Sequence, residues 1–195
     1  MARALVVLAL CGPEPPGPGA PSCRLLYART FGDPPGAGDP ARQRLRRKEQ
    51  LLALARQVAS QCRLLQASSG RSPSPQLPPD EPISLQDAPG GVFQLRPGDP
   101  FPERLTVAWI SVLSLAFALV CDPRENLPLA EITLRRLTPR FLASLRLLGS
   151  GTDVLLRPEV ADRLLDRLLP HGRLLFLNEC FLQALDREMG LKAAR

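Results

Sequence analysis

The stretch Leu105–Asp122, LTVAWISVLSLAFALVCD, carries no charge over its first 17 residues and decides how the chain folds. Seventeen uncharged residues stand at the lower limit of what a membrane-crossing helix needs. Thr106, Ser111 and Ser114 interrupt the run, and it is rich in the β-branched and aromatic residues that strands favour, among them Val107, Trp109, Ile110, Val112 and Phe117. It therefore reads as two buried strands that divide near Leu113-Ser114, LTVAWISV and LAFALVCD. Apolarity on both faces of both strands places this hairpin at the centre of a sheet that is covered on each side.

Working outward, Val92–Arg96 (VFQLR) alternates Val92, Gln94 and Arg96 against Phe93 and Leu95, the pattern of a further strand. At the start of the chain, Arg3 followed by Ala4–Leu10 (ALVVLAL) has the basic-then-apolar layout of an export signal. The apolar run is at the short end for that role, and a buried first strand is the expectation. Arg24–Phe31 (RLLYARTF) reads as a second strand, closed by Gly32-Asp33-Pro34-Pro35 and paired with the first as a hairpin.

Helices account for the rest. From Ala41 to about Gln66 prolines are absent and Leu51, Ala55, Val58, Cys62 and Leu65 recur at helical spacing. The first turns of that helix hold Arg42, Arg44, Arg46, Arg47 and Lys48, positive charge at the positive end of the helix dipole, which gains nothing locally. Such a cluster fits a solvated face, or a contact for an acidic lipid or an acidic partner. After Asp122, Asn126 is placed to cap a helix with Pro128 in its first turn. Its stripe is Ala130, Leu134, Leu137, Phe141, Leu145 and Leu148, with a kink expected at Pro139 and an end at Gly149-Ser150-Gly151. Pro158 opens another helix, with Val160, Ala161, Leu164, Leu165, Leu168 and Leu169 inward, which stops at Pro170-His171-Gly172. A last helix from about Asn178 to Met189 is expected to bury Phe181, Leu182 and Leu185. Pro-rich stretches at about 12–22 and 67–90 read as loops within one domain spanning 1–195.

Composition removes several function classes. With 195 residues the chain is long enough for a sizeable core, although 22 prolines and 14 glycines assign part of it to loops. A single histidine, His171, cannot supply a His-rich zinc site, an HExxH protease or a two-histidine iron site. Five scattered cysteines form no CxxC pair and suit a reducing compartment, where a buried thiol acts as a small hydrophobe. There is no phosphate loop, dinucleotide fingerprint or nucleophile elbow, so catalysis is not expected and neither is a cofactor. A net charge of +6 makes a nucleic-acid binder conceivable, but one Trp and one Tyr give little to stack on bases. The order β-β-α-β-β-β-α-α-α without catalytic equipment describes an α/β interaction module.

That order is the layout of longin-like (SNARE-like) folds, and the residues go further. TVAWISVLSLAFALVCD (Thr106–Asp122), the turn Glu125-Asn126 with Leu129, Ala130 and Glu131 after it, and Asp153-Val154-Leu155-Leu156 leading to Asp166 and Gly172 resemble the small (sigma) subunits of the heterotetrameric adaptor protein complexes of vesicle traffic. Arg47-Lys48-Glu49-Gln50-Leu51-Leu52-Ala53 and Pro170–Asn178 (PHGRLLFLN) resemble the branch of that family belonging to adaptor protein complex 5.

The resemblance implies a five-stranded, mainly antiparallel sheet with helices on both faces. It also implies a cytosolic, non-catalytic subunit packed with two large subunits (zeta and beta type) and a medium (mu) subunit. Such a subunit would work in protein sorting at late endosomes and lysosomes, peripheral to the membrane, without nucleic acid or a small-molecule substrate. Conventional sigma subunits help bind acidic dileucine signals through pockets lined by small residues. Here Leu113 precedes Ser114 at the hairpin turn, where the family carries a small residue beside glycine, so dileucine binding is expected to be lost or altered. The basic cluster Arg42, Arg44, Arg46, Arg47 and Lys48, with Leu113, makes up the expected partner-binding set. Longin-type regulators or tethers of small GTPases share the layout and form the alternative, with a basic nucleic-acid-binding protein as the second.

Overall fold

The computed structural model describes residues 1–11, 23–32, 39–69, 85, 88–145 and 158–190. Five strands form one sheet: β1 (Ala2–Leu10), β2 (Cys23–Thr30), β3 (Gly90–Leu95), β4 (Leu105–Val112) and β5 (Leu115–Cys121). Their spatial order is β2-β1-β5-β4-β3, and every neighbouring pair is antiparallel. The helices are α1 (Pro40–Ser69), α2 (Leu127–Ser144), α3 (Pro158–Leu168) and α4 (Glu179–Glu188), with a short 3-10 turn at Pro170–Gly172. This is the α/β, longin-like architecture expected from the element order. The expected loop at 12–22, most of the one at 67–90, and the segment holding Leu148, Gly149-Ser150-Gly151 and Asp153–Leu156 lie outside the described residues.

Sequence pattern and strand position correspond closely. β5 is buried at every residue and β4 at all but its first, and β1 is buried over most of its length. These three occupy the middle of the sheet. β2 and β3, whose residues are partly exposed, are the edges. Alternate residues of each central strand enter two separate cores. Leu5, Val7, Ile110, Phe117 and Leu119 face α2, α3 and α4, while Val6, Leu8, Val107, Trp109, Ala116 and Ala118 face α1. β5 thus turns its large side chains to the three-helix layer and small ones to α1, which permits close approach of a single helix.

A bulge sets this division at the start of β1. Ala2 pairs with Cys121 and Ala4 with Val120, so Arg3 is the extra residue, and Ala2 joins the three-helix core while Ala4 faces α1. Arg3 Nε donates to Asp122 Oδ1 at 2.5 Å. Burial works against ionisation of Asp122, but the hydrogen bonds from Arg3 and the Met1 amino group outweigh it and hold the carboxyl below its ordinary range.

The helix ends follow the sequence signals. Asn126 Oδ1 accepts from the Leu129 amide at 3.0 Å to cap α2, and Asn178 Oδ1 accepts from the Phe181 amide at 2.7 Å to cap α4. α2 continues through Pro139 to Ser144. Arg140 clamps α4 with two bonds to Asp186, at 2.8 and 2.7 Å, and Tyr27 ties β2 to α3 by donating to Asp162 Oδ1 at 2.5 Å. Gly172 follows α3 with φ of 75°. A Cβ there would stand 2.4 Å from the Ala2 carbonyl oxygen and 2.6 Å from Phe31 Cβ, so only glycine lets the turn lie on β1.

Some expectations fail for identifiable reasons. α1 reaches Ser69 rather than Gln66, and its 30 residues span about 45 Å against about 25–30 Å for strands of eight or nine. It overhangs the sheet, so Leu65, expected inward, is 37% exposed. Phe181 is 40% exposed rather than buried, because α4 meets the core through Leu182 and Leu185 alone. Val160 is only half-buried. Among the cysteines only Cys62 and Cys121 are fully buried, with thiols pushed up to about 12 by burial, whereas Cys11 and Cys180 are exposed.

Two predictions test this packing. Phe117 packs edge-on against Phe141, with ring centroids 6.2 Å apart, and is fully buried. Phe117→Ala is expected to cost about 3–5 kcal/mol in denaturant unfolding of the full chain, and Gly172→Ala to destabilise it by more than about 1 kcal/mol. The low Asp122 pKa adds stability that is complete above the unfolded carboxylate pKa of about 3.9 and disappears as pH falls through the lower folded value. Asp122→Asn is therefore expected to lose up to about 1 kcal/mol at neutral pH, with the difference vanishing in strong acid.

Candidate functional site

The basic helix start is exposed. Asp39 stands at the head of α1, its Oδ1 accepting from the Ala41 amide at 3.0 Å. Arg42, Arg44, Arg46, Arg47 and Lys48 are all exposed, and none forms an ion pair with another described residue. Their angular placement is uneven. Arg44 and Arg47 continue, at spacings of three and four, the inward stripe of Leu51, Leu54 and Val58, whereas Arg42 and Arg46 fall on the opposite side of the helix.

Arg47 stands at the rim of a cleft between α1 and the sheet, with a free volume of about 110 Å³. Leu51, Leu54, Phe101 and Val120 make up much of its apolar lining, and Arg3 lies beside it on the β1 bulge. Among the described residues no carboxylate lines this cleft. Arg3 already has Asp122, which leaves Arg47 as the lining cation without an ion pair among the described residues.

Leu113 lies far from this cluster. It is the first residue of a two-residue turn between β4 and β5, has φ of 54° and is 47% exposed. Glycine or asparagine ordinarily occupies such a position. The turn is anchored by the Leu10 amide, which donates to the Ser114 carbonyl at 2.7 Å. The cleft includes Leu105, at the opposite end of the eight-residue β4, so about 25 Å of strand separates it from Leu113. The structure brings the five cations together on one helix and leaves Leu113 apart from them.

A second surface escaped the sequence reading. Leu175, Phe176 and Phe181 are 39%, 84% and 40% exposed on and just before α4. The signal lay in PHGRLLFLN itself, where Phe176 follows a helix stop and belongs to no periodic stripe. The other conspicuous polar groups are ties between elements. Arg29 donates to the Asp162 carbonyl at 2.8 Å and also pairs with the Asp166 carboxylate. Burial and the Asp162 carboxylate raise the Tyr27 pKa, which keeps the phenol a donor. His171 is exposed with φ of 52°. Among the described residues no cluster of His, Cys, Asp and Glu is arranged to hold a metal ion, and no helix is long and apolar enough to cross a membrane.

Comparison with known proteins assigns the family. The family model described as AP-5 complex subunit sigma-1 matches residues 1–190. The human protein named AP-5 complex subunit sigma-1 is 51% identical over 173 residues, covering 85% of this chain and 86% of that protein. The mouse protein of the same name is 53% identical over 134 residues, covering 65% of this chain and 78% of its own length. A chain with this sheet order, a helical layer on each face and a match over nearly its whole length belongs to the AP-5 complex subunit sigma-1 family, small subunits of an adaptor protein complex.

Proposed function

We propose that this chain is a non-catalytic subunit, one longin-like domain over 1–195, of a heterotetrameric adaptor complex that sorts proteins at late endosomes and lysosomes. Its partners are two large subunits, of zeta and beta type, and a medium subunit of mu type, and the assembly attaches to the cytosolic membrane face peripherally. The observation that carries this reading is the family match over residues 1–190. The surface agrees with it: Leu175, Phe176 and Phe181 are exposed apolar side chains of the kind a large subunit would cover. Constitutive association of this kind commonly buries more than about 2,000 Å² of rather apolar surface.

The turn residue Leu113 supports a narrower part of the proposal. A branched side chain stands where conventional sigma subunits place a small one, and this chain's handling of dileucine signals is correspondingly lost or altered.

Affinity purification of the tagged chain from cells under mild salt is expected to recover two large subunits and a mu-type subunit in equal amounts. Recovery of the chain alone, or with a GTPase or nucleic acid, contradicts the proposal. A dileucine peptide titrated onto the assembled complex is expected to show no micromolar binding, and a clean micromolar isotherm sinks the claim about Leu113.

A further inference from the structure

The cleft beneath the basic end of α1 joins an apolar lining to an exposed cation. Its free volume of about 110 Å³ is several times the roughly 10–15 Å³ that one water requires, so it has room for an apolar side chain. Leu51, Leu54, Phe101 and Val120 offer that side chain dry contact. At the rim Arg47 has no ion pair among the described residues, and Arg44 lies one turn further along the same stripe. Cations occupying the inward stripe of a helix are unusual, since those positions ordinarily serve the core. Here both side chains stay exposed and free to meet whatever enters.

We propose that this cleft is a docking site for an acidic peptide segment of a partner protein, with one bulky apolar side chain of that segment in the cleft and its carboxylates on Arg47 and Arg44. Charge complementarity selects the acidic character, because Arg47 has no ion pair among the described residues and none of the described lining residues is a carboxylate. Geometry selects a peptide over a lipid surface. Arg42 and Arg46 lie on the opposite side of α1 from Arg44 and Arg47, so a flat anionic bilayer meets one pair and leaves the other unneutralised. An extended chain reaches the inward pair and also supplies an apolar group for the cleft. The proposal is testable on the purified full chain.

The test is fluorescence anisotropy with a labelled peptide, Asp-Glu-Glu-Phe-Ala, alongside sedimentation with vesicles of phosphatidylcholine and phosphatidylserine. Saturable binding of the peptide is expected. Arg47→Gln is expected to weaken it about tenfold, the loss of one charge-assisted hydrogen bond, and Arg47→Lys to restore part of it. Arg42→Gln, on the outer side, is expected to change it by about threefold at most. Replacing the peptide's Phe with Ala is expected to cost about tenfold, and replacing its acidic residues with amides to abolish binding. Equal losses from Arg47→Gln and Arg42→Gln, indifference to the peptide's Phe, or absence of peptide binding overturns the proposal. So does tight vesicle binding that the peptide does not compete away.

Discussion

Two adjacent strands with no polar face must be shielded on both sides, and the β4–β5 hairpin imposes that condition on everything around it. Its residues feed two cores at once, one closed by α2, α3 and α4 and the other by α1. β1 completes the centre, with its bulge at Arg3 allotting Ala2 to one core and Ala4 to the other. The edges fall to β2 and β3, whose sequences contain the polar residues that an edge tolerates. Even the glycine requirement at position 172 follows, because the turn after α3 must lie directly against the β1 backbone to close the three-helix layer.

The same arrangement leaves the molecule's chemistry on its surface. Part-buried polar bonds join elements to one another: Arg140 to Asp186 across α2 and α4, and Tyr27 to Asp162 between β2 and α3. Unpaired or uncovered among the described residues are the basic start of α1, the cleft beneath it and the apolar side chains about Phe176. A subunit of an adaptor complex works through contacts of this kind. The two surfaces have different chemistry, one apolar and one cationic, and the roles proposed for them differ accordingly.

Much of the fold was legible in the sequence because the decisive signals were local. The 17-residue uncharged run, the Asn126 cap and the alternation in Val92–Arg96 each name an element from a few residues. The site was legible in part. Arg42–Lys48 stood out as charge in an unfavourable place, but the cleft beside Arg47 arises from Ala4, Phe101 and Val120 meeting α1, a tertiary coincidence without a sequence signature. Helix length misled at Leu65, since periodicity does not reveal where a helix outruns its sheet. Phe181 misled because aromatic character was equated with burial, while α4 is held by Leu182 and Leu185.

Hydrogen exchange, compared between the full chain by itself and the chain within its purified complex, addresses the central claim that the chain has a self-sufficient sheet core and functions through its surfaces. The account predicts slow amides in β1, β4 and β5 in both states, with new protection in the complex confined to surface segments and including Leu175–Phe181. Fast exchange of the β4–β5 hairpin in the free chain, or a complex that protects no surface segment, would contradict it.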